Sequence, residues 1–513
     1  MRADQGSRPT PTGVNMPIAR LLRQASRHVP RSLPVALSLA LLGCSAPAPA
    51  PSPPKALTEK VPAEFRQAEL FKATETRVSI PRGWWQLFGD EALNDLQTRL
   101  IADNPNLLAS LAQIRIAQAA LDSSRAPLSP TVGTALSVTR SESQQASSSG
   151  TALVPALSAS WEADLWGRLG SQIDAAAARL QASEFDLEGL RLSLQASLTQ
   201  TWLALRAAQA QGALLETTVE AYTRSLQMTE DRYRVGIVPA TDVAQAQTQL
   251  KTAQAQAAEL QGTRAVLENA IAVLTGQPPA ALATLAAKGL PEAPEVPLQL
   301  PAELLRRRPD VAAAERRVVA AAAQLGVARA AFFPAVTLSA NASLRSRNLA
   351  DLFAAPPLLW SLGPGLAIAA LDGGARQAGL ESARASLELA SAQYRQVILT
   401  AMQEVEDNLA LIAALNRQTQ LLEESLIQAR RALELTLNQY RAGTVSYLNV
   451  VAAQTTALSV ERSLLDARSR RLNASNLLLK NLAGGWGRAQ LPPAATGAPA
   501  ATPAAPLQPA PAR

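Results

Sequence analysis

Two kinds of hydrophobic pattern alternate along the chain, and together they predict long helices and a few strands. Apolar residues spaced three and four apart, which is typical of helices, occupy most of the sequence, whereas a period of two, typical of strands, occurs in four short stretches. The strands are predicted at about 130–140, 152–165, 334–346 and 360–371, with a polar loop at 141–150. Because side chains alternate across a strand, one face would be apolar and the other rich in Ser, Thr, Gly and Asn.

A proline-free stretch follows each pair of strands and predicts an unusually long helix. The two stretches are 167–235 and 374–442, and at about 1.5 Å per residue either helix would be about 100 Å long. Such a length exceeds a compact domain. The second stretch also carries a coiled-coil seam, formed by Ile412, Leu415, Thr419, Leu422, Leu426, Ala429, Leu433, Leu437 and Tyr440.

Each long helical pattern stops at a glycine, and a second helical pattern follows. Residues 233–248 (YRVGIVPATDVAQAQT) and 440–455 (YRAGTVSYLNVVAAQT) align without a gap, 207 positions apart. A glycine after a helix adopts the left-handed conformation that ends it, and Pro239 or Ser446 suits the start of the next helix. The sequence therefore predicts two antiparallel helical hairpins, with tips at 233–242 and 440–449.

The strand pairs recur at nearly the same interval as the tips, so an internal duplication covers most of the chain. Before the first strand pair, Asn104-Pro105 interrupts the helical pattern at 93–121 and predicts two helices in series. The predicted division is a first repeat at 81–276, a connector at 277–300, a second repeat at 301–487 and a disordered Pro/Ala-rich tail at 488–513.

Three consecutive arginines, 306–308, precede a helix predicted from about 304 to 331. Glu303, Asp310 and Glu315 flank them, so we interpret this segment as a solvated ion-pair cluster rather than a nucleic-acid site. The overall charge agrees with that interpretation. The net charge of +7 falls to +2 beyond residue 43, where 42 basic residues face 40 acidic ones, and this balance gives no support for a nucleic-acid partner.

The N-terminus has the features of a secretory signal: six arginines, a short apolar run and a small residue before Cys44. Leu41-Leu42-Gly43-Cys44 resembles a bacterial lipobox, which implies a lipoprotein signal at 1–43 and palmitate on Cys44. Met16 is an alternative start, and a cleaved signal with an incidental cysteine is the alternative interpretation. Residues 44–80 would then form the lipidated N-terminus and a tether or equatorial segment.

The composition excludes several kinds of catalytic and metal-binding site. The only histidine is His28 and the only cysteine is Cys44, so beyond the leader there is no His-based triad or His metal site. No phosphate-binding or dinucleotide-binding glycine motif is present. We therefore expect no enzyme, no metal and no cofactor.

Four strands are too few to close a membrane barrel, since the smallest have eight. An open sheet in lipid would leave backbone groups unpaired at its edges, which costs several kcal/mol per group. Three copies would supply twelve strands around one axis, with the polar face towards a lumen and the apolar face towards lipid. The alternative is a soluble sheet whose apolar face covers an ordinary core.

Several motifs together resemble the outer membrane efflux protein (TolC/OprM-like) family, in its NodT-type lipoprotein branch. They are WEADLWGR at 161–168, RRRPDV at 306–311, LDGG at 371–374 and the two Tyr-Arg-x-Gly tips, and the resemblance covers about 60–487. It implies a trimeric channel-tunnel with a shared 12-stranded transmembrane β-barrel and a periplasmic α-barrel. Such a protein is the passive exit duct of a tripartite exporter for drugs or other small molecules, joined to a periplasmic adaptor and an inner-membrane pump.

The resemblance also implies roles for residues at the tips. Leu448 matches a hydrophobic constriction residue, whereas Asn449 and Ala452 stand where relatives often carry aspartates. Asp242 and Tyr440 match residues that tie the two tips together, but Val445 replaces the usual arginine, so at most a single hydrogen bond is expected between the tips there. The predicted adaptor-contact turns are Val235, Gly236, Ile237, Ala442, Gly443 and Thr444.

Plainer roles are open for some of these residues. Gly236 and Gly443 would serve as helix C-caps in any hairpin, and Asp242 would be favoured by the dipole at a helix start. Two other protein classes are also open: a periplasmic adaptor lipoprotein, and a structural coiled-coil protein without a pore. The two hairpins argue against the first class, and the alternating strands argue against the second.

Overall fold

The computed structural model describes residues 66, 81–143, 148–282, 289–294, 308–346 and 358–482. The predicted signal, Cys44 and the tail at 488–513 lie outside these residues. The main elements are α1 (Glu91–Asp103), α2 (Pro105–Arg125), β1 (Thr131–Ser143), β2 (Ser148–Ala163), α3 (Arg168–Arg234), α4 (Ala240–Leu274), α5 (Pro309–Ala330), β3 (Ala335–Leu344), β4 (Leu358–Ala367), α6 (Ala375–Arg441) and α7 (Tyr447–Asn481). The predicted fold class, mainly helical with a small β part, is confirmed.

The duplication is visible in the lengths of the helices. Both α3 and α6 have 67 residues, and both α4 and α7 have 35. Each helix of the second hairpin begins and ends 207 positions after its counterpart in the first. At about 1.5 Å per residue, α3 and α6 are each about 100 Å long. No helix in the described part of the chain is both long and apolar enough to cross a membrane.

Each long helix packs against helices that precede the strands and against the helix that returns from its tip. Helix α3 packs against α2 and α5, which precede the strands, and against α4, which returns from the tip. Helix α6 packs against α5 and α7 in the same way, and α7 also contacts α3. The predicted seam of α6 lies in these contacts, because all nine of its residues are buried or half-buried.

The junction between α1 and α2 has the predicted break, and it also holds the end of α4. The Asn104 side chain accepts hydrogen bonds from the backbone N–H groups of Asn106 and Leu107, which makes it the N-cap of α2. Its Nδ2 donates to the carbonyl of Leu274, the last residue of α4, over 2.8 Å. Just beyond, Gly276 has φ +72°, and a Cβ there would lie 2.3 Å from the Asp103 carbonyl oxygen, so only glycine fits.

The corresponding junction of the second repeat uses Arg308, which corrects one prediction. The Arg308 side chain is buried rather than solvated. It forms ion pairs with Asp310 (2.7 Å) and with Glu404 of α6 (2.9 Å), and it donates to the carbonyl of Asn481 at the end of α7. Burial alone would lower the pKa of Arg308, but the two carboxylates outweigh it and raise that pKa. The rest of the arginine run lies outside the described residues.

The strands differ from the predicted bounds at two places. The predicted loop at 141–150 is largely strand, because β1 and β2 pair from Ser141 opposite Gly150 to Ser143 opposite Ser148. Backbone pairing needs no apolar side chains, so the polar sequence concealed it. Strand β4 stops at Ala367, whereas the prediction extended it to 371. There the Asp372 carboxylate accepts from the backbone N–H groups of Gly374 and Arg376 and turns the chain into α6.

The largest apolar cluster lies where the segment before α2 crosses the long helices. Trp84 and Phe88 from a short 3-10 helix join Leu203 of α3 and Leu409 of α6, all buried. Near this cluster, the Asp90 carboxylate accepts a hydrogen bond from Trp202 Nε1 over 2.9 Å and two from the Arg206 guanidinium. This cluster fixes the two hairpins to one frame, so the sheet and the tips project in opposite directions from it.

Candidate functional sites in the sheet and at the hairpin tips

The four strands form one antiparallel sheet in the order β1-β2-β3-β4. Strand β1 pairs only with β2, and β4 only with β3, in the described part of the chain. The sheet therefore presents two edges with free backbone donors and acceptors. Because neighbouring strands alternate in direction, the free edge of β4 runs antiparallel to the free edge of β1.

The register places most of the large apolar residues of the four strands on one face. One row across the sheet is Val132–Ala159–Ala340–Leu362, and each of its members is the direct partner of the next. The opposite face is small and polar, as in the row Thr131–Ser160–Ser339–Gly363. The predicted two-faced sheet is therefore present.

The apolar face does not pack as a protein core within this chain. Leu136 is 65% exposed, Trp360 74% and Leu366 71%. Exposed apolar area that is continuous over a sheet marks a surface that meets another apolar phase. The interpretation as a soluble sheet over its own core is thus unsupported.

The two hairpin tips have the predicted turn geometry. Gly236 and Gly443 have φ values of +78° and +77°, which is the left-handed region that favours glycine. The N–H of Gly236 donates to the Tyr233 carbonyl, and that of Gly443 to the Tyr440 carbonyl. These are helix C-caps, so the structural role expected for both glycines is present.

Most of the residues predicted to meet a partner are exposed at the tips. Val235 is 68% exposed and Ile237 61%, and Gly236, Ala442, Gly443 and Thr444 are also exposed. Leu448 is 59% exposed in the first turn of α7, and Asn449 and Ala452 are exposed beside it. The gate and adaptor roles of these residues are not tested by the single chain and stay predictions.

A hydrogen bond between Asp242 and Tyr440 is the most that the resemblance implies there, and none is present among the described residues of the single chain. The Tyr440 hydroxyl is buried without a hydrogen-bond partner among the described residues. The Tyr440 ring packs edge-on against Tyr447, with centroids 5.4 Å apart, in a cluster with Val450 and Ala246. This packing holds the Tyr440 hydroxyl in the interior, whereas Asp242 is half-exposed at the start of α4.

A family model described as outer membrane efflux protein matches residues 96–277 and 300–485, which together make up more than half of the chain. The chain belongs to the outer membrane efflux protein family. Its place of action is the outer membrane and its role is efflux, as the motifs predict. This assignment replaces both alternative protein classes, the periplasmic adaptor and the structural coiled-coil protein without a pore.

Curated relatives of this efflux protein cover most of its length. The pyoverdine export outer membrane protein OpmQ of Pseudomonas aeruginosa is 33% identical over 79% of this chain and 88% of its own length. The toluene efflux pump outer membrane protein TtgC of Pseudomonas putida is 31% identical over 83% of this chain and 90% of its own.

Solved structures share the fold along nearly their whole length. The outer-membrane channel OprN is 29% identical, with a TM-score of 0.80, and the match covers 86% of this chain and 99% of OprN. CusC is 26% identical, with a TM-score of 0.75 over 85% of this chain and 98% of its own. Family and neighbours are transport proteins, and the expectation that this efflux protein has no enzymatic activity stays a prediction.

The polar contacts that join the hairpins of this efflux protein near the tips include two that involve buried tyrosines, and neither of these was predicted from the sequence. Arg232 of α3 donates from Nη1 to the Tyr440 carbonyl over 2.7 Å. The hydroxyls of Ser225 and Tyr447, both in buried residues, lie 3.1 Å apart. Burial raises the pKa of the Tyr447 hydroxyl, the bond to Ser225 opposes that shift, and nearby Tyr440 and Asp242 add to it, so Tyr447 stays neutral.

The sequence carried a weak signal for these contacts, because the residues that form them differ between the two copies of the repeat. Positions 207 residues away from Arg232, Ser225 and Tyr447 hold Gln439, Ala432 and Ala240. At these two contacts the hairpins meet through side chains that only one copy has. Because the copies differ at many other positions, the departure alone does not single these residues out.

Proposed function

We propose that three copies of this chain form one outer membrane channel-tunnel, the passive exit duct of a tripartite efflux system. Four strands from each copy would make a shared twelve-stranded barrel, and the paired hairpins would make a helical tunnel in the periplasm. A periplasmic adaptor and an inner-membrane pump would deliver the cargo, and the duct itself would need no cofactor.

The observation that carries this proposal is a sheet with two free edges and one continuous apolar face. In lipid, each unpaired backbone group costs several kcal/mol, so the edges must be paired. The free edge of β4 runs in the direction that antiparallel pairing with β1 of a second copy needs. Three copies give a closed ring with the apolar face outward and the small polar face inward.

The length and position of the helices support the tunnel. Helices α3 and α6 extend for about 100 Å away from the sheet, and the tips lie at their far end. A ring of three Leu448 side chains would narrow the opening there, and a hydrophobic constriction can gate a pore by dewetting. Asn449 and Ala452 in place of acids would leave this constriction without an acidic ring.

The partners and cargo follow from the same arrangement. The exposed turns 235–237 and 442–444 would meet the hairpins of the adaptor. The relatives are named for pyoverdine and toluene, which differ widely in size and polarity. The inward face of the sheet carries Ser, Thr, Gly and Asn without a selective pattern, so we propose small molecules as cargo, with the choice made by the pump.

We propose further that Cys44 carries a lipid anchor. The anchor would hold each copy at the inner leaflet of the outer membrane and would add to the attachment made by the barrel. Metabolic labelling with radioactive palmitate tests this, with Cys44→Ser as the comparison. Label on the native protein and none on the variant is the expected result, and an unlabelled native protein contradicts it.

A matched pair of substitutions in β4 tests the barrel. Leu362 and Ser361 are adjacent and lie on opposite faces. An arginine at the bilayer midplane costs about 2–4 kcal/mol, and the trimer would carry three. We expect Leu362→Arg to prevent assembly in the outer membrane, while Ser361→Arg assembles and conducts less current in planar bilayers. The opposite order would show that the apolar face does not meet lipid.

The gate is tested by Leu448→Ser. A polar ring in place of leucine would hold water in the constriction, so the single-channel conductance should rise. Leu435→Ser is the control, since it makes the same substitution at another exposed leucine, in α6 and outside the turns of the tips. An unchanged conductance in Leu448→Ser would remove Leu448 from the gate, and a native protein that purifies as a water-soluble monomer without ion current would refute the channel.

A further inference from the structure

One residue of the first hairpin holds the end of the long helix of the second. Arg232 lies two residues before the end of α3, and its Nη1 donates to the carbonyls of Tyr440 (2.7 Å) and Arg441 (3.3 Å). Those are the last two residues of α6. The guanidinium carbon also lies 4.8 Å from the centre of the Tyr440 ring. The contact therefore combines two hydrogen bonds with a cation–π interaction.

The chemistry of a helix end explains why an arginine suits this place. The last four carbonyls of a helix have no partner within it, and the helix dipole makes that end attractive to a cation. Arg232 supplies both a donor and a positive charge to α6, although it belongs to α3. It forms no ion pair with a carboxylate among the described residues, so the contact with α6 is its main polar attachment.

The neighbouring groups strengthen the contact. Tyr440 is 2% exposed and Tyr447 is 1% exposed, so the guanidinium lies over the ring of a buried tyrosine that packs against a second buried tyrosine. Screening by solvent is weaker there than at an exposed ion pair. Arg234, two residues away, differs in all these respects: it is exposed, and among the described residues its one ion pair is with Asp231 of its own helix.

We propose that Arg232 is the positioning residue that latches the second tip to the first and keeps the channel closed. This inference rests on the proposed channel function. The resemblance implied at most a hydrogen bond between Asp242 of the first tip and Tyr440 of the second. Here the first tip contributes a cation instead, and its acceptors are backbone carbonyls of the second tip. Outward movement of the end of α6 requires that both hydrogen bonds and the stacking on Tyr440 be lost.

Single-channel recording in planar bilayers tests the latch, with Arg232→Met as the main variant. Methionine keeps much of the apolar stem and removes the charge and the donors. We expect about a tenfold rise in the ratio of open to closed channels, which corresponds to about 1.4 kcal/mol. Arg234→Met is the matched control, because it makes the same substitution at the same tip, and it should behave as the native protein.

Two further measurements keep the outcome decisive. The mass of the trimer and its thermal unfolding should be unchanged in Arg232→Met, so that a rise in opening is not a loss of fold. If that variant does not assemble, Arg232→Lys decides, because an ammonium cannot bind both carbonyls and stack on the ring in the same way, and opening should still rise.

The outcomes separate the latch from the channel. If the native protein conducts current, and an assembled Arg232 variant has the same ratio of open to closed channels, the latch is overturned and the channel proposal stands. An equal rise in Arg234→Met would attribute the effect to net charge at the tip and would also overturn it. Absence of current in the native protein would instead refute the channel proposal itself.

Discussion

The two hairpins of this efflux protein have the same backbone plan and different chemistry across their helices. Their long and short helices have equal lengths, and both tips turn at a glycine with nearly the same φ. The signals that set this plan are present in both copies: a proline-free run, apolar residues three and four apart, and a glycine at the end. Both copies carry these features, which determine where a helix starts, packs and stops.

The two hairpins differ in the ion pairs that join their long and short helices. In the second hairpin two ion pairs cross from α6 to α7, Arg430 with Glu461 and Glu423 with Arg468. At the corresponding positions the first hairpin has Thr223 with Gln254 and Glu216 with Gln261. The first hairpin therefore packs α3 and α4 without these charged links. Backbone geometry and cross-helix chemistry are thus separable properties, and each can be tested alone.

The largest effect should come from the junctions that end the two short helices. Arg308 donates to the Asn481 carbonyl and forms ion pairs with two carboxylates. At the corresponding place in the first repeat, the neutral amide of Asn104 donates to the Leu274 carbonyl. Removal of one partner from a buried ion pair costs about 3–5 kcal/mol, and loss of an N-cap about 0.5–2 kcal/mol. Arg308→Met should therefore lower the Tm of the protein in detergent more than Asn104→Ala.

Glu404 is about one-third exposed and Asp310 nearly one-half, so the loss in Arg308→Met should lie near the lower limit of that range. Arg317→Met is the control for charge, since Arg317 forms an exposed ion pair with Asp186 and should change the Tm little. Equal Tm values for Arg308→Met and Arg317→Met would show that the buried arginine does not hold the junction.

Much of the fold could be predicted from the sequence, because periodicity and glycine placement act locally. The bounds of α3 and α6 follow from proline-free runs, and the two faces of the sheet follow from alternation. The ion pair of Arg308 with Asp310 agrees with the predicted cluster, but the second partner and the burial of Arg308 could not be predicted. Glu404 lies 96 positions away from Arg308, and its approach depends on how α5 packs between the long helices. The arginine run itself suggested only an exposed cluster.

At the tips, too, contacts between residues far apart in the sequence could not be predicted. Their turn residues were predicted by number, but for the link between the tips the resemblance implied at most a hydrogen bond between Asp242 and Tyr440. Which side chain reaches across is decided by the packing of Tyr440 against Tyr447, and neither residue alone indicates it. Arg232 and Ser225 are separated from their partners by more than 200 positions, so no local pattern brings them together.

A smaller effect should come from the tyrosine hydroxyls at the tip. The Tyr447 hydroxyl shares a buried hydrogen bond with Ser225, whereas the Tyr440 hydroxyl has no partner among the described residues. A hydrogen bond of this kind contributes about 0.5–1.5 kcal/mol. Tyr447→Phe should therefore raise the rate of amide hydrogen exchange at the tips, and Tyr440→Phe should leave it unchanged or lower it.

Ser225→Ala provides the matched control for Tyr447→Phe, because it removes the other partner of the same bond. The double variant should then exchange no faster than the faster of the two single variants. A strong effect of Tyr440→Phe, together with an equal effect of Asp242→Asn, would instead restore the tie between Asp242 and Tyr440 across neighbouring copies.

The smallest effect concerns the charged links of the second hairpin. Arg430→Gln and Arg468→Gln should each speed amide exchange in α6 and α7 near the substituted pair and leave α3 and α4 unchanged. Both pairs are partly exposed, and such pairs contribute about 0.2–1 kcal/mol. Exchange in the native second hairpin should also become faster at high salt, which screens exposed charges.

The first hairpin offers the reciprocal experiment. Thr223→Arg together with Gln254→Glu places the missing pair at the corresponding positions, and amide exchange in α3 and α4 should slow by a comparable factor. Because the two hairpins share their backbone plan, a link that works in one should work in the other. If the introduced pair has no effect while removal of the native pair does, the links depend on the contacts that α6 and α7 make with the rest of the protein, and the hairpins are less equivalent than their geometry indicates.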